Sequence, residues 1–125
     1  LARTILDRAG LAGHNGMQGE SLLPGVEGKT TGNDSLVIEE HQRRGYMGLK
    51  NNFRARSLVT ADFRLTLYEG ADWGELYDLS NDPNELNNLW DEPAAQNTRH
   101  AITERLARRM MELSDTSPLA THHGP

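Results

Sequence analysis

The sequence contains no cysteine and no long apolar run, and its charge balance is not basic. Without cysteine the chain has no disulfide, no thiol nucleophile and no cysteine-based zinc site, and its redox compartment cannot be read from it. No stretch approaches the ~20 apolar residues of a membrane-spanning helix, so no membrane partner is expected. With 18 acidic and 13 basic side chains the net charge is −5. This disfavours non-specific binding to nucleic acid, which requires a clustered basic surface.

What the sequence does contain is the composition of a small globular domain. Hydrophobic residues make up 36% and charged residues 25% of the 125 residues. A chain of this length buries roughly two thirds of its unfolded surface when it forms one domain. Composition does not fix where the protein resides, and no targeting segment is visible.

The first ten residues predict a short amphipathic helix. Apolar residues recur at helical spacing from Ala2 to Ala9, and Gly10 stands where a C-cap glycine ends such a helix. An apolar stripe this short needs a partner surface, which we expect upstream or in a second copy of the chain. The glycine-rich residues 11–35 show no sustained period and predict a connection between two units.

The middle of the chain predicts a small antiparallel sheet. The β-branched run at residues 36–38 begins a first strand. Phe53–Thr60 and Phe63–Tyr68 alternate apolar and polar side chains on either side of a short turn, as a β-hairpin does. Residues 75–79 add a further strand after a second turn. We therefore expect about four strands.

Two helix-start signals follow the strands. Asp82, Pro83 and Glu85 have the arrangement of a capping box and predict a single turn of helix. Residues 91–93 open a long helix to about residue 113, with one apolar face and a solvated face that includes Arg99. The apolar positions are Ile102, Leu106, Met110 and Leu113. The elements together predict an α+β fold in which the small sheet packs against the long C-terminal helix.

Candidate binding residues cluster where the first strand passes into a polar loop. Glu39 and His41 are two apart on a strand, so they share a face and can contact one ligand or one metal ion. Equally, both can be ordinary solvated side chains. The loop adds Gln42, Arg43 and Arg44, and guanidinium groups suit sulfate, phosphate or carboxylate, although such arginines often form a solvated face. We expect these five residues at the rim of a substrate pocket.

No catalytic set emerges from the residues alone. The sequence has no Gly-x-Ser-x-Gly elbow and no paired helical histidines. We therefore expect no catalytic residue, no metal site and no cofactor in this chain.

Several segments, in order along the chain, resemble the C-terminal third of type I (arylsulfatase-like) sulfatases. They are residues 4–11 (TILDRAGL), 16–24 (GMQGESLLP), 56–60 (RSLVT), 64–68 (RLTLY), 74–79 (GELYDL), 81–85 (NDPNE) and 87–89 (NNL). The resemblance implies a four-stranded sheet with a long helix that docks on an upstream catalytic domain of the alkaline-phosphatase-like fold. It also implies that the parent enzyme hydrolyses sulfate esters.

The resemblance places the chemistry outside this chain. In the family, a Cys or Ser of the catalytic domain becomes formylglycine, and Asp and Asn residues hold a calcium ion. Those motifs lie upstream of the matched part, and none maps onto a residue here. The isolated chain is therefore expected to be inactive.

Two other interpretations remain open from the sequence. In one, the parent enzyme hydrolyses phosphonate or phosphate esters, because the superfamily cleaves these on the same scaffold. In the other, the chain is a free-standing protein-interaction module. We divide the chain into the end of the catalytic domain with its connector (residues 1–35), the C-terminal α+β domain (36–114) and a tail (115–125).

Overall fold

The structure, a computed structural model, describes residues 1–14, 16–29, 34–45, 48–50 and 52–114. The chain divides into two compact units, one comprising Leu1–Gly32 with Leu113–Pro125 and the other Asn33–Glu112. No helix in the described ranges is long and apolar enough to cross a membrane. The tail predicted at residues 115–125 lies outside the described residues.

The first unit contains two short helices, α1 (Ala2–Arg8) and α2 (Leu23–Val26). α1 agrees with the helix that the sequence predicts, and Gly10 follows it with φ 70°, a left-handed conformation that glycine adopts without steric cost. The backbone N–H of Leu22 donates a hydrogen bond to the Thr4 hydroxyl at 3.0 Å, which ties the start of α2 to α1. α2 lies within the segment for which the sequence predicts only a connection.

The second unit is a four-stranded antiparallel sheet with the order β1-β2-β3-β4. The strands are β1 (Ser35–Gln42), β2 (Phe53–Thr60), β3 (Phe63–Tyr68) and β4 (Gly74–Asp78). A 3-10 turn at Pro93–Ala95 leads into the long helix α3 (Gln96–Glu112). The predicted α+β fold, with about four strands and a long C-terminal helix, is confirmed.

The core of this unit lies between the sheet and α3. The register places Leu58 opposite Leu65 and Leu65 opposite Leu76, so these leucines project from one face of three adjacent strands. All three are fully buried and cluster with Ile102 and Leu106 of α3. Burying one such side chain contributes roughly 1.5–3 kcal/mol, so this cluster supplies much of the unit's stability.

Two expectations about the last third of the chain are corrected. The predicted turn of helix is absent, because Glu85 has φ 55° and the Asp82 carboxylate accepts a hydrogen bond from the backbone N–H of Asn87 at 2.8 Å. Arg99 is not on a freely solvated face. Its guanidinium lies 4.6 Å from the centroid of the Trp90 ring and donates to the Trp90 carbonyl oxygen at 2.8 Å.

Candidate functional site

The strand register sorts the predicted rim residues onto different faces of the sheet. We call the face that carries Leu58 and packs on α3 the helix face, and the opposite one the second face. Val37 pairs with Leu58, so Glu39 and His41, at alternate positions along β1, lie on the helix face. Gln42 lies on the second face for the same reason. Arg43 and Arg44 follow the end of β1.

On the helix face, Glu39 lies opposite Arg56 and His41 lies opposite Arg54. Glu39 Oε1 is 2.8 Å from Arg56 Nε, an ion pair whose geometry falls short of a hydrogen bond. The Glu39 side chain is 64% exposed, so the pair contributes at most about 1 kcal/mol. His41 and Arg54 are exposed, and within the described part of the chain neither side chain has a hydrogen-bond or ion-pair partner.

The second face carries a cleft of about 400 Å³. Its described lining is Glu40, Gln42, Arg44, Gly45, Phe53, Arg64, Tyr68 and Glu75. Gln42 Nε2 donates to Glu40 Oε1 at 2.7 Å, which orders the wall formed by β1. Two of the five predicted residues, Gln42 and Arg44, therefore line this cleft, and Glu39, His41 and Arg43 are not part of the lining.

The opposite wall of the cleft is held rigid by charges. Arg64 Nη1 lies 2.8 Å from Glu85 Oε2, and Arg64 Nη2 lies 3.4 Å from Glu75 Oε2. The same guanidinium lies over the Tyr77 ring, 5.4 Å from its centroid. With two carboxylates and an aromatic face around it, Arg64 is fixed before any ligand binds.

An aromatic row forms the end of the cleft. Phe53, only 5% exposed, meets Tyr68 edge to face with ring centroids 6.0 Å apart. Tyr68 in turn lies 4.8 Å from Trp73, centroid to centroid. Such contacts are worth about 0.5–1.5 kcal/mol each beyond the area they bury, so the Tyr68 ring is held in place from both sides.

A second cleft of about 390 Å³ lies beside the same loop. Its described lining is Gly48, Leu49, Lys50, Asn52, Phe53, Glu69 and Gly70. Phe53 lines both clefts. Described residues of the polar loop at 42–52 therefore line both clefts.

The described residues do not fit a metal site. Across the described ranges, no three His, Asp or Glu side chains lie together in a way that could hold a metal ion. Among the described residues, the two carboxyl groups whose pKa is lowered do not line either cleft. A hydrogen bond from Arg105 holds the pKa of Asp34 below its usual range, and one from Asn81 does the same for Asp78.

Six of the eight described residues that line the second-face cleft are not among the five predicted rim residues. Glu40 and Gln42 share a strand parity, which could have signalled a second pair beside Glu39 and His41. Arg64, Tyr68 and Glu75 come from β3 and β4, and only the pairing of the strands brings them to β1.

Comparison with known proteins decides the family. Residues 1–112 match the family described as N-sulphoglucosamine sulphohydrolase, C-terminal. The chain belongs to this family. The resemblance to the C-terminal part of sulfatases that the sequence segments indicate is thereby confirmed.

The chain is similar to parts of individual sulfatases. An N-acetylglucosamine-6-O-sulfatase of Bacteroides thetaiotaomicron is 29% identical over 120 residues, which cover 94% of this chain and 21% of that protein. A protein solved in complex with its substrate D-glucosamine-2-N,6-O-disulfate has a TM-score of 0.77 at 26% identity, over 97% of this chain and 25% of that one.

The phosphonate monoester hydrolase of Agrobacterium radiobacter also has a TM-score of 0.77, at 23% identity, over 92% of this chain and 25% of its own. That likeness shows a shared fold alone. The chain spans between 21% and 56% of the length of the curated relatives it matches.

Proposed function

We propose that the protein to which this domain belongs hydrolyses sulfate esters. In this proposal the domain supports an upstream catalytic domain of the alkaline-phosphatase-like fold and forms part of the rim of its active site. The observation that carries the proposal is the sulfatase family match, which extends over nearly the whole described chain. The named sulfatase among its relatives supports the same assignment.

In this proposal the upstream domain carries out the chemistry, and this chain binds part of the substrate. It has no Cys-x-Pro-x-Arg or Ser-x-Pro-x-Arg motif whose first residue could become formylglycine, and its described residues offer no calcium site. The upstream domain would supply the formylglycine and the calcium ion, and with them the attack on sulfur. This chain would bind and orient the part of the substrate beyond the sulfate, through the polar loop of residues 42–52 and the residues that lead into it.

The five rim candidates remain those that the sequence predicts. Arg43, Arg44 and His41 can donate to anionic or hydroxyl groups of a substrate, and Glu39 and Gln42 can accept from its hydroxyls. All five are exposed at or just beyond the end of β1. Side chains of this kind on a loop mounted on a rigid sheet are well placed to select a substrate.

The first helix is proposed to pack on the upstream domain. Ile5 is 66% exposed in this chain, so its apolar side chain lacks cover here. A second copy of the chain is the alternative occupant. Sedimentation of the chain distinguishes the two, since a dimer that dissociates in an Ile5→Asp variant would favour self-association.

Kinetics of the full-length protein test the proposed function. The full-length protein should hydrolyse aryl and sugar sulfates with a higher kcat/KM than a phenylphosphonate ester, and the reverse order would establish the phosphonate alternative. The 125-residue chain alone should show no turnover of an aryl sulfate above a buffer blank.

Substitutions at the rim test the role of the loop. His41→Ala or Arg43→Ala should lower kcat/KM unequally among substrates with different leaving groups. The loss should be roughly 10- to 150-fold where a charge-assisted hydrogen bond is removed. Equal, near-wild-type kinetics on every substrate would make the loop a connector.

A further inference from the structure

The size and the charge pattern of the second-face cleft limit the kinds of ligand that it can bind. Its volume of about 400 Å³ falls within the roughly 300–1,000 Å³ typical of small-molecule sites. Glu40 and Glu75 supply two negative charges to the described lining, and Arg44 and Arg64 supply two positive ones. The formal charges cancel, so the cleft is not built for a highly charged anion.

The partners of these groups show which are available to a ligand. Arg64 is already neutralised by Glu75 and Glu85. Within the described residues Arg44 has no ion-pair or hydrogen-bond partner. One carboxylate oxygen of Glu40 accepts from the Gln42 amide, which leaves the other Glu40 oxygen and the amide oxygen of Gln42 for a ligand.

Donors and acceptors side by side suit hydroxyl groups. A hydroxyl donates one hydrogen bond and accepts up to two, so it satisfies a carboxylate or amide oxygen and a guanidinium at once. A ligand with several hydroxyls around one ring would use both walls of the cleft. At its end, the Tyr68 ring is fixed between Phe53 and Trp73 and offers an apolar surface with a polar tip.

A pyranose ring combines these features, because its hydroxyls project at the rim and its C–H groups form an apolar face. We propose that the second-face cleft is a saccharide subsite, which holds the sugar ring next to the one that bears the hydrolysed ester. The inference rests on the proposed sulfatase function. Arg44 is the lining cation that can take an anionic substituent, so the ring held here is neutral or carries one negative group.

Direct binding to the 125-residue chain tests the subsite without any catalysis. The probe is N,N′-diacetylchitobiose, an uncharged disaccharide, titrated into the ¹⁵N-labelled chain and followed by NMR. Amide signals of Gln42, Arg44 and Tyr68 should shift. Gln42→Ala and Arg44→Ala should each weaken binding roughly 10-fold, the loss of one hydrogen bond to a polar or charged group.

Arg54→Ala is the matched control, since Arg54 is an exposed arginine near the same end of the sheet but on the helix face. It should leave binding unchanged. Unshifted signals at saturating probe, or shifts confined to the helix face, would overturn the proposal. Because Gln42 and Arg44 are both exposed, both variants should stay folded and keep the wild-type dispersion of amide signals. The two variants should therefore give the same result independently.

Kinetics of the full-length protein provide the second test. The measured quantity is the ratio of kcat/KM for a sulfated disaccharide to that for glucosamine 6-sulfate. Gln42→Ala and Arg44→Ala should lower this ratio roughly 10-fold, because the monosaccharide leaves the subsite empty. Arg54→Ala should preserve it.

The two tests separate failure of the subsite from failure of the proposed function. A protein that hydrolyses sulfates with an unchanged ratio in both variants remains a sulfatase, and the subsite is then wrong. A protein that hydrolyses no sulfate ester refutes the proposed function, and the NMR titration still decides whether the cleft binds a saccharide.

Discussion

Replacing Asn88 by alanine should destabilise the sheet unit substantially, because this side chain closes the edge of β4. Asn88 Oδ1 accepts hydrogen bonds from the backbone N–H groups of Leu76 and Trp90, each at 3.0 Å. Its Nδ2 donates to the Gly74 carbonyl oxygen at 3.1 Å. The backbone N–H of Leu89 adds a bond to the Leu76 carbonyl oxygen at 2.8 Å. The amide group therefore acts as one residue of a neighbouring strand.

The magnitude follows from the burial of Leu76. A net hydrogen bond contributes about 0.5–1.5 kcal/mol, and a buried donor left without a partner costs about 1–3 kcal/mol. Leu76 is 0% exposed but Asn88 is exposed, so water entering from the Asn88 side replaces the lost acceptor only in part. We expect a loss of about 2–3 kcal/mol in the free energy of unfolding, which at an m value of about 1–3 kcal/mol/M lowers the urea midpoint by roughly 0.7–3 M.

Asn87→Ala is the matched control for this measurement. The Asn87 side chain is exposed and has no hydrogen bond within the described residues, so its removal should change stability by less than about 0.5 kcal/mol. Urea denaturation followed by tryptophan fluorescence measures both variants. If the free energy of unfolding of Asn88→Ala falls within about 0.5 kcal/mol of that of the control, the edge closure has no energetic role.

Two further predictions concern stability. A Cβ built on Gly74 would lie 2.6 Å from the Trp90 ring, so Gly74→Ala should cost about 1–3 kcal/mol in urea denaturation, whereas Gly19→Ala, with open space around it, should not. The hydrogen bond from the Asn81 side chain lowers the pKa of Asp78 in the folded state, so the carboxylate contributes stability above the ordinary carboxyl range and loses it as pH falls through the lowered pKa. Between about pH 5 and pH 3 the wild-type chain should therefore lose more thermal stability than Asp78→Asn, and equal losses would contradict this.

Elements with a clear period could be predicted from the sequence. The alternation in β2 and β3 predicts a hairpin, and the register confirms it. The buried residues are not confined to one face, because β2 buries Phe53 on the second face and Leu58 on the helix face. The spacing of Ile102 and Leu106 reflects the stripe that α3 buries. In α3 the burial that stabilises the fold also produces the sequence pattern, so the helix can be predicted locally.

The sequence predictions that were wrong depend on contacts that no local sequence pattern contains. The Asp82 carboxylate could cap a helix, but it bonds the N–H of Asn87 and Glu85 turns into the left-handed region. A helix cap and the bond to Asn87 both satisfy the Asp82 carboxylate, so the sequence signal for capping does not distinguish them. Likewise, Arg64 of β3 lines the second-face cleft only because β3 pairs with β2 and β2 pairs with β1.

In this domain the residues that fix the fold differ from those proposed to bind the substrate. The fold is fixed by the buried leucines between the sheet and α3, and a domain with the same architecture occurs in hydrolases of different esters, so these residues cannot select the substrate. Gln42 and Arg44 are exposed and contribute little burial. They can therefore vary with the substrate at little cost in stability, since surface substitutions usually change the free energy of unfolding by less than about 0.5 kcal/mol. If the second-face cleft binds a saccharide as proposed, the ligand preference can change at the end of β1 while the core stays intact.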